Sequence, residues 1–206
     1  GTKSWVDVMN AKLNEKGGRG VGKFTSASKH GFGFEVEAAA QVGALGAQDV
    51  QAFMATGSAG WTSNHWRKHK LGFGVDYLSG DDDPTGNDYK AFDTLFATNH
   101  KFYGFMDFFL NVPVHTSQQG LMDLMLKTGR MVASGTKLDH HFHHFALAEG
   151  EDAGLGQEID LLVSHKRGGA SFQWGALMFL PGDAMEVMKG GSDVAFKGYF
   201  QAGATF

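Results

Sequence analysis

The segment Gly31–Val42 constrains the fold more than any other stretch, because its side chains alternate without a break. Phe32, Phe34, Val36, Ala38, Ala40 and Val42 fall on one face of an extended strand; Gly33, Glu35, Glu37 and Gln41 fall on the other. A face carrying carboxylates needs water or partners, and the opposite face needs an apolar medium, either a sandwich core or lipid. The same period of two places strands over Ser4–Leu13, Arg19–Ser28, Gly31–Val42, Val50–Trp61, His69–Ser79, Leu121–Val132, Lys137–Ala148, Leu155–Lys166, Ala170–Leu180 and Asp193–Phe206. These are long strands, against about 5–6 residues for the commonest globular strand. They match the ~9–11 residues that a tilted strand needs to cross a bilayer. Length therefore favours an all-β, antiparallel transmembrane β-barrel over a soluble sandwich, with the lipid bilayer as its first partner.

Composition narrows the choice further. A chain of 206 residues is one domain, 1–206. It has no cysteine, so neither a disulfide framework nor a thiolate metal site is expected. A net charge of −4 gives no nucleic-acid footprint. No apolar run approaches the roughly 20 residues of a membrane helix, a test that membrane barrels escape because their strands alternate. No leader opens at Gly1, as expected of a mature secreted chain or of a fragment.

The connections alternate in length. Ser28–His30, Ser134–Thr136 and Arg167–Gly169 read as tight turns and Thr62–Lys68 as moderate; Asn14–Gly18, Gly43–Asp49, Gly80–Gly120, Glu149–Gly154 and Pro181–Ser192 read as mostly longer loops. Tight turns at one end and long loops at the other are the outer-membrane pattern. With Phe206 at the periplasmic end, the tight turns fall in the periplasm and Gly80–Gly120 falls outside. The last strand alternates Val194, Phe196, Phe200, Ala202, Ala204 and Phe206 against Lys197, Tyr199, Gln201 and Thr205. Its terminal aromatic is the feature that barrel-assembly machinery reads.

Four stretches carry a resemblance to a known family. They are the strand Phe34–Gly43 with Glu35, Glu37 and Gln41; the segment Lys70–Asp107 with Ser79-Gly80-Asp81 and His100-Lys101-Phe102-Tyr103-Gly104; the strand Gly156–Leu161 with Glu158 and Asp160; and Phe179-Leu180-Pro181-Gly182-Asp183. In order and spacing these resemble the alginate export family of bacterial outer-membrane β-barrels. The resemblance implies a non-enzymatic channel in the outer membrane that passes an anionic polysaccharide or small hydrophilic solutes by diffusion. It also implies that about ten strands here form the C-terminal part of a larger barrel, with N-terminal strands missing, although an even count permits closure on their own.

A conduit for a polyanion needs fixed cations in its lumen. Alternation offers Lys23, Lys127, Lys137 and Lys197 as lumen-facing cations, with Arg130 on the opposite parity unless Gly129 marks a bulge. It also places Glu35, Glu37, Asp76, Asp123, Asp139, Glu158 and Asp160 in the lumen, so the wall is mixed and on balance acidic. Among the histidines, His141 and His143 share the face of Asp139, and His140 and His144 take the other. Strand neighbours two apart are nearly 7 Å apart, so a metal would need a ligand from another strand; lumen histidines without metal are the expectation, and no cofactor is expected. His144 on a mid-bilayer lipid face would be costly, so a slip in face is anticipated there. The run Asp81–Asp88 partly resembles a calcium loop, but Phe92 stands where the bidentate Glu belongs, and a solvated turn is expected. No nucleophile–base set can be assembled from spacing.

The connection Gly80–Gly120 is too long for a hairpin and too aromatic for disorder, so it must pack. The expected place is the barrel mouth or inner wall, with Asp81–Asp83 near the external rim and Asn99, His100 and Lys101 near a constriction. Two other readings stay open: a scaffold barrel in an outer-membrane complex with a plugged lumen, and a soluble β-sandwich or lipocalin-like binding protein.

Overall fold

The structure, a computed structural model, describes residues 18–26, 30–95, 97–150 and 153–205, with the backbone alone for 18–26 and 101. The expected strand Ser4–Leu13, the side chains of Lys23 and Lys101, and Phe206 lie outside the described residues.

The long strands are β1 (Gly18–Ser26), β2 (Gly31–Leu45), β3 (Gln48–Thr62), β4 (Lys70–Leu78), β6 (Leu121–Ala133), β7 (Thr136–Ala146), β8 (Gly154–Arg167), β9 (Ala170–Pro181) and β10 (Ala195–Ala204). They pair antiparallel in that order, each with its neighbour, in one sheet. A short β5 (Asp88–Tyr89) runs parallel to the start of β3. Nine of the expected strands thus form, with boundaries shifted by a few residues. A single sheet is not a sandwich, so that reading falls. Among the described residues the sheet is an open path from β1 to β10 and not a closed ring.

Register turns alternation into two faces. Phe34 pairs with Ala59, Phe73 with Leu126, Ile159 with Met178, and Phe200 with Trp174. All lie on one apolar outer face, where Phe172, Trp174 and Phe200 also pack ring on ring. Arg130 sits opposite Leu138 on this face, and no bulge intervenes at Gly129. His144 keeps its outer-face parity as well. The anticipated slip does not occur, because Gln157 beside it donates from Nε2 to His144 Nδ1 at 3.2 Å.

The connections differ most at one end. The β2–β3 link shrinks to a turn at Gly46-Ala47, so Gly43–Asp49 is strand and turn and not a loop. Residues 79–120 hold β5, a 3-10 turn (Asn99–Lys101) and helix α1 (Val112–His115). Asn111 caps α1 by accepting from Val114 N at 3.3 Å, and Pro113 lies in its first turn. Helix α2 (Asp183–Lys189) occupies the β9–β10 link, where only a loop was expected. Its signals were present in the chain: Asp183 and Glu186 in the first turn, Lys189 in the last, and Gly190 at φ +73° after it.

The core forms where these connections meet the inner face. Phe92, Tyr103, Phe109 and Val112 of the long connection join Leu78, Leu121, Phe145, Leu155 and Phe179 of the strands and Ala184 and Met185 of α2. Ring centroids lie 4.6 Å apart for Phe109–Phe145 and 4.5 Å for Phe108–Phe179.

Candidate functional site

Alternation places Glu35, Glu37, Asp76, Asp123, Lys127, Lys137, Asp139, His141, Glu158, Asp160 and Lys197 on the inner face, the parity opposite to the exposed aromatics. Their surroundings divide them. Asp76, Asp123, Glu158 and Asp160 are buried. Glu35, Glu37, Lys127, Lys137, Asp139 and His141 are half-buried and line a cavity of about 710 Å³, together with Thr56, Trp61 and, from the long connection, Thr94, Asn99 and Tyr103. Lys137 Nζ lies 2.8 Å from Asp139 Oδ1, its neighbour along β7 on the same face.

The long connection is tied to the inner wall at separate points. Gln41 accepts from Asp93 N at 3.0 Å and donates to Asp93 O at 2.7 Å, the paired bonds that a strand neighbour would make. Glu158 Oε1 accepts from Met106 N at 2.9 Å. Lys197 Nζ donates to Phe105 O at 2.9 Å and to Asp107 Oδ2 at 2.5 Å, and His100 Nδ1 holds the other Asp107 oxygen. The Phe105 ring lies between His100, His141 and Tyr199. Gly104, at φ +82°, passes so close to the wall that an added Cβ would meet Glu158 Oε2 at 2.4 Å. Burial alone would raise the Asp107 carboxyl; the hydrogen bonds from Lys197 and His100 outweigh it, and its pKa lies below the ordinary aspartate range.

One group of side chains is brought together that sequence spacing separates. His143 Nδ1 lies 2.7 Å from Asp123 Oδ2 across β6 and β7. His141 pairs with Asp160 across β7 and β8, and His143 with Glu158. Lys127, opposite His141 on β6, shares this region. His143, Gln41 and Tyr199 were legible as inner-face residues by parity. Asp107 and Gly104 were not, because the long connection has no period to assign a face.

The other expectations for this connection divide. Asn99 is buried and donates to Thr94 Oγ1 at 2.8 Å and Leu110 O at 3.0 Å, inside the connection. Asp81, expected at the rim with Asp82 and Asp83, is buried instead, and accepts from Asp83 N at 3.1 Å. Asp83 in turn accepts from Thr85 N and Oγ1, and Asp82 pairs with Lys90. The acidic run is thus engaged with its own turn and holds no converging set of free oxygens of the calcium-loop kind.

Among curated proteins, none matches the chain closely enough to count as a relative. The family described as alginate export matches residues 6–193, a span that includes the charged inner face from β2 to β9 and the whole long connection. Long antiparallel strands, an apolar outer face, a charged inner face and that match together show that this chain belongs to the alginate export family.

Proposed function

We propose that the protein is an outer-membrane β-barrel channel of the alginate-export type, narrowed by its own connection 79–120, through which small hydrophilic solutes pass by diffusion without turnover. The observation that carries this reading is the position of that connection: it packs on the charged inner face, not on the apolar outer one. The outer face supports a bilayer as its solvent, since Phe32 is 70% exposed and Phe196 75%. A contiguous apolar surface of this kind marks an interaction with lipid or partner. In this reading β1 and β10 are the edges between which the ring is completed, and the assembly machinery reads β10 as the final strand.

The wall chemistry argues for small solutes over a polyuronate. Lys127 and Lys137 face the cavity with Glu35, Glu37, Asp76 and Asp139, and Lys197 is engaged with Asp107. That wall offers a polyanion little net attraction.

Liposome swelling with the full-length protein tests this. Entry of neutral mono- and disaccharides with exclusion of uronate oligomers is expected. Uronate oligomers entering faster than neutral sugars of equal size would overturn the solute class. No swelling with any solute would favour a second reading, a plugged scaffold barrel, which the depth of burial of Phe92 and Phe109 supports.

A further inference from the structure

Beneath the connection, three potential metal ligands converge from two strands. One ligand atom each of His141, His143 and Asp160 lie within 4.8 Å of one another. We propose that His141, His143 and Asp160 form a binding site for a divalent transition metal of the zinc class, braced by Asp123 and covered by the connection. This goes beyond the transport reading and does not depend on it, since the ligands belong to the wall whether or not the lumen conducts.

Four observations carry the assignment. First, Asp160 has no exposed surface, and its carboxyl group meets that of Glu158, an acceptor like itself and not a cation. An ionised carboxylate in that position costs several kcal/mol unless a cation or donors compensate it, on the order given for buried ions. Second, the Glu158 carboxyl and His141 Nδ1 are buried beside it, so acceptors and ligands accumulate at one point. Third, His143 turns Nδ1 to Asp123 Oδ2 at 2.7 Å, which leaves Nε2 as the nitrogen available to a metal. A carboxylate on the far nitrogen is the usual brace of a metal-bound histidine, fixing its tautomer and ring plane. Fourth, the donor set of two imidazoles and a carboxylate suits zinc, and not a hard cation such as calcium or magnesium.

The spacing is compatible with the ion. Bonds of about 2.0–2.2 Å put the ligand atoms of a tetrahedral site roughly 3.4 Å apart. Closing from the observed spread requires side-chain rotations on the order of 1 Å. The need for a ligand from another strand is met by Asp160 on β8, opposite His141 in register. The charged groups around the site are Glu158, Asp123, Asp139, Lys127, Lys137 and, from the connection, His100. Lys137 is paired with Asp139, and a divalent ion would add positive charge where Asp160, Glu158 and Asp123 come together. Phe105 lies over His141 and Gly104 against Glu158, so the connection covers one side of the site, while His141 also borders the cavity.

The test uses the full-length protein in detergent, loaded with zinc, dialysed exhaustively and assayed for metal content, with cobalt substitution as a second readout. Heat-modifiable gel mobility identifies folded protein in every sample. Retention of one zinc per folded chain and tetrahedral cobalt bands in visible absorption are expected. Asp123→Asn should weaken zinc about 10–100-fold, and His141→Ala or Asp160→Asn at least as much. His140→Ala and His144→Ala, on the outer face, should leave it unchanged. Folded wild-type protein that retains no zinc and gives only the spectrum of hydrated cobalt overturns the proposal. Loss of binding in the outer-face variants alone overturns it equally, by assigning the metal to the surface.

Discussion

The inner face has two ends, and they are built differently. Toward the loop end, Ala39, Ala52, Leu78, Asp123, Phe145, Glu158 and Phe179 are buried on seven neighbouring strands. Toward the turn end of the same strands, Gly33, Gly60, Gly72, Lys137, Ser164 and Ser171 are only half-buried. The strands do not change character at the boundary, since both ends alternate with the same period. What differs is the connection 79–120, which covers one end and leaves the other open to the cavity. A β-wall of this kind is therefore not a uniform pipe. Much of its buried core is supplied by one connection that is not part of the wall.

This contrast can be broken or sharpened by substitution. The largest effect is expected for Phe109→Ala. It removes a fully buried ring that packs on Phe145 and Phe179, and should cost about 3–5 kcal/mol in urea midpoint measurements. If it costs no more than a turn-end change such as Ser58→Ala, the loop end is not a core. Gly104→Ala comes next, because it combines a left-handed backbone with a direct collision at Glu158. A loss of about 1–3 kcal/mol is expected, together with faster protease cleavage within 93–107. Unchanged cleavage would mean that the connection does not depend on this approach.

Asp107 gives a pH dependence of known sign. Its folded pKa lies below the unfolded value, so its contribution is complete above about pH 4 and is lost as pH falls through the folded value. Protease sensitivity of the connection should rise on acidification below that point, and Asp107→Asn should show the raised sensitivity already at neutral pH. An Asp107→Asn protein with wild-type protection would remove Lys197 and His100 as anchors. The smallest effect is expected for Lys137→Ala at the turn end, where a partly exposed ion pair with Asp139 contributes roughly 0–1 kcal/mol. A larger loss would show that the turn end is more than a solvated wall.

The fold was legible wherever side chains alternate. Phe32, Phe34, Val36, Phe73, Ile159, Trp174 and Phe196 stand on the outer face as parity requires, because a strand fixes side-chain direction with a period of two. The same rule placed Glu35, Asp123, His141 and Asp160 inward. Parity could not give depth. Glu35 and Glu158 read alike in sequence, yet one lines a cavity and the other is buried, because the connection that separates them has no period. Nor could it bring Asp160 to His141 or Asp123 to His143, since those pairs depend on cross-strand register. The need for residues 79–120 to pack was legible from their aromatic content. The anchors Gly104, Met106 and Asp107 were not, because each acts through a backbone position that only the folded chain defines.

The central claim is that the connection on the loop end limits passage through the barrel. The most direct measurement is single-channel conductance of the full-length protein in planar bilayers, before and after residues 93–105 are replaced by a short Gly-Ser linker. Heat-modifiable mobility shows that the variant has assembled. The account predicts a clear rise in conductance in the assembled variant. Unchanged conductance in that same variant would contradict it and place the constriction elsewhere.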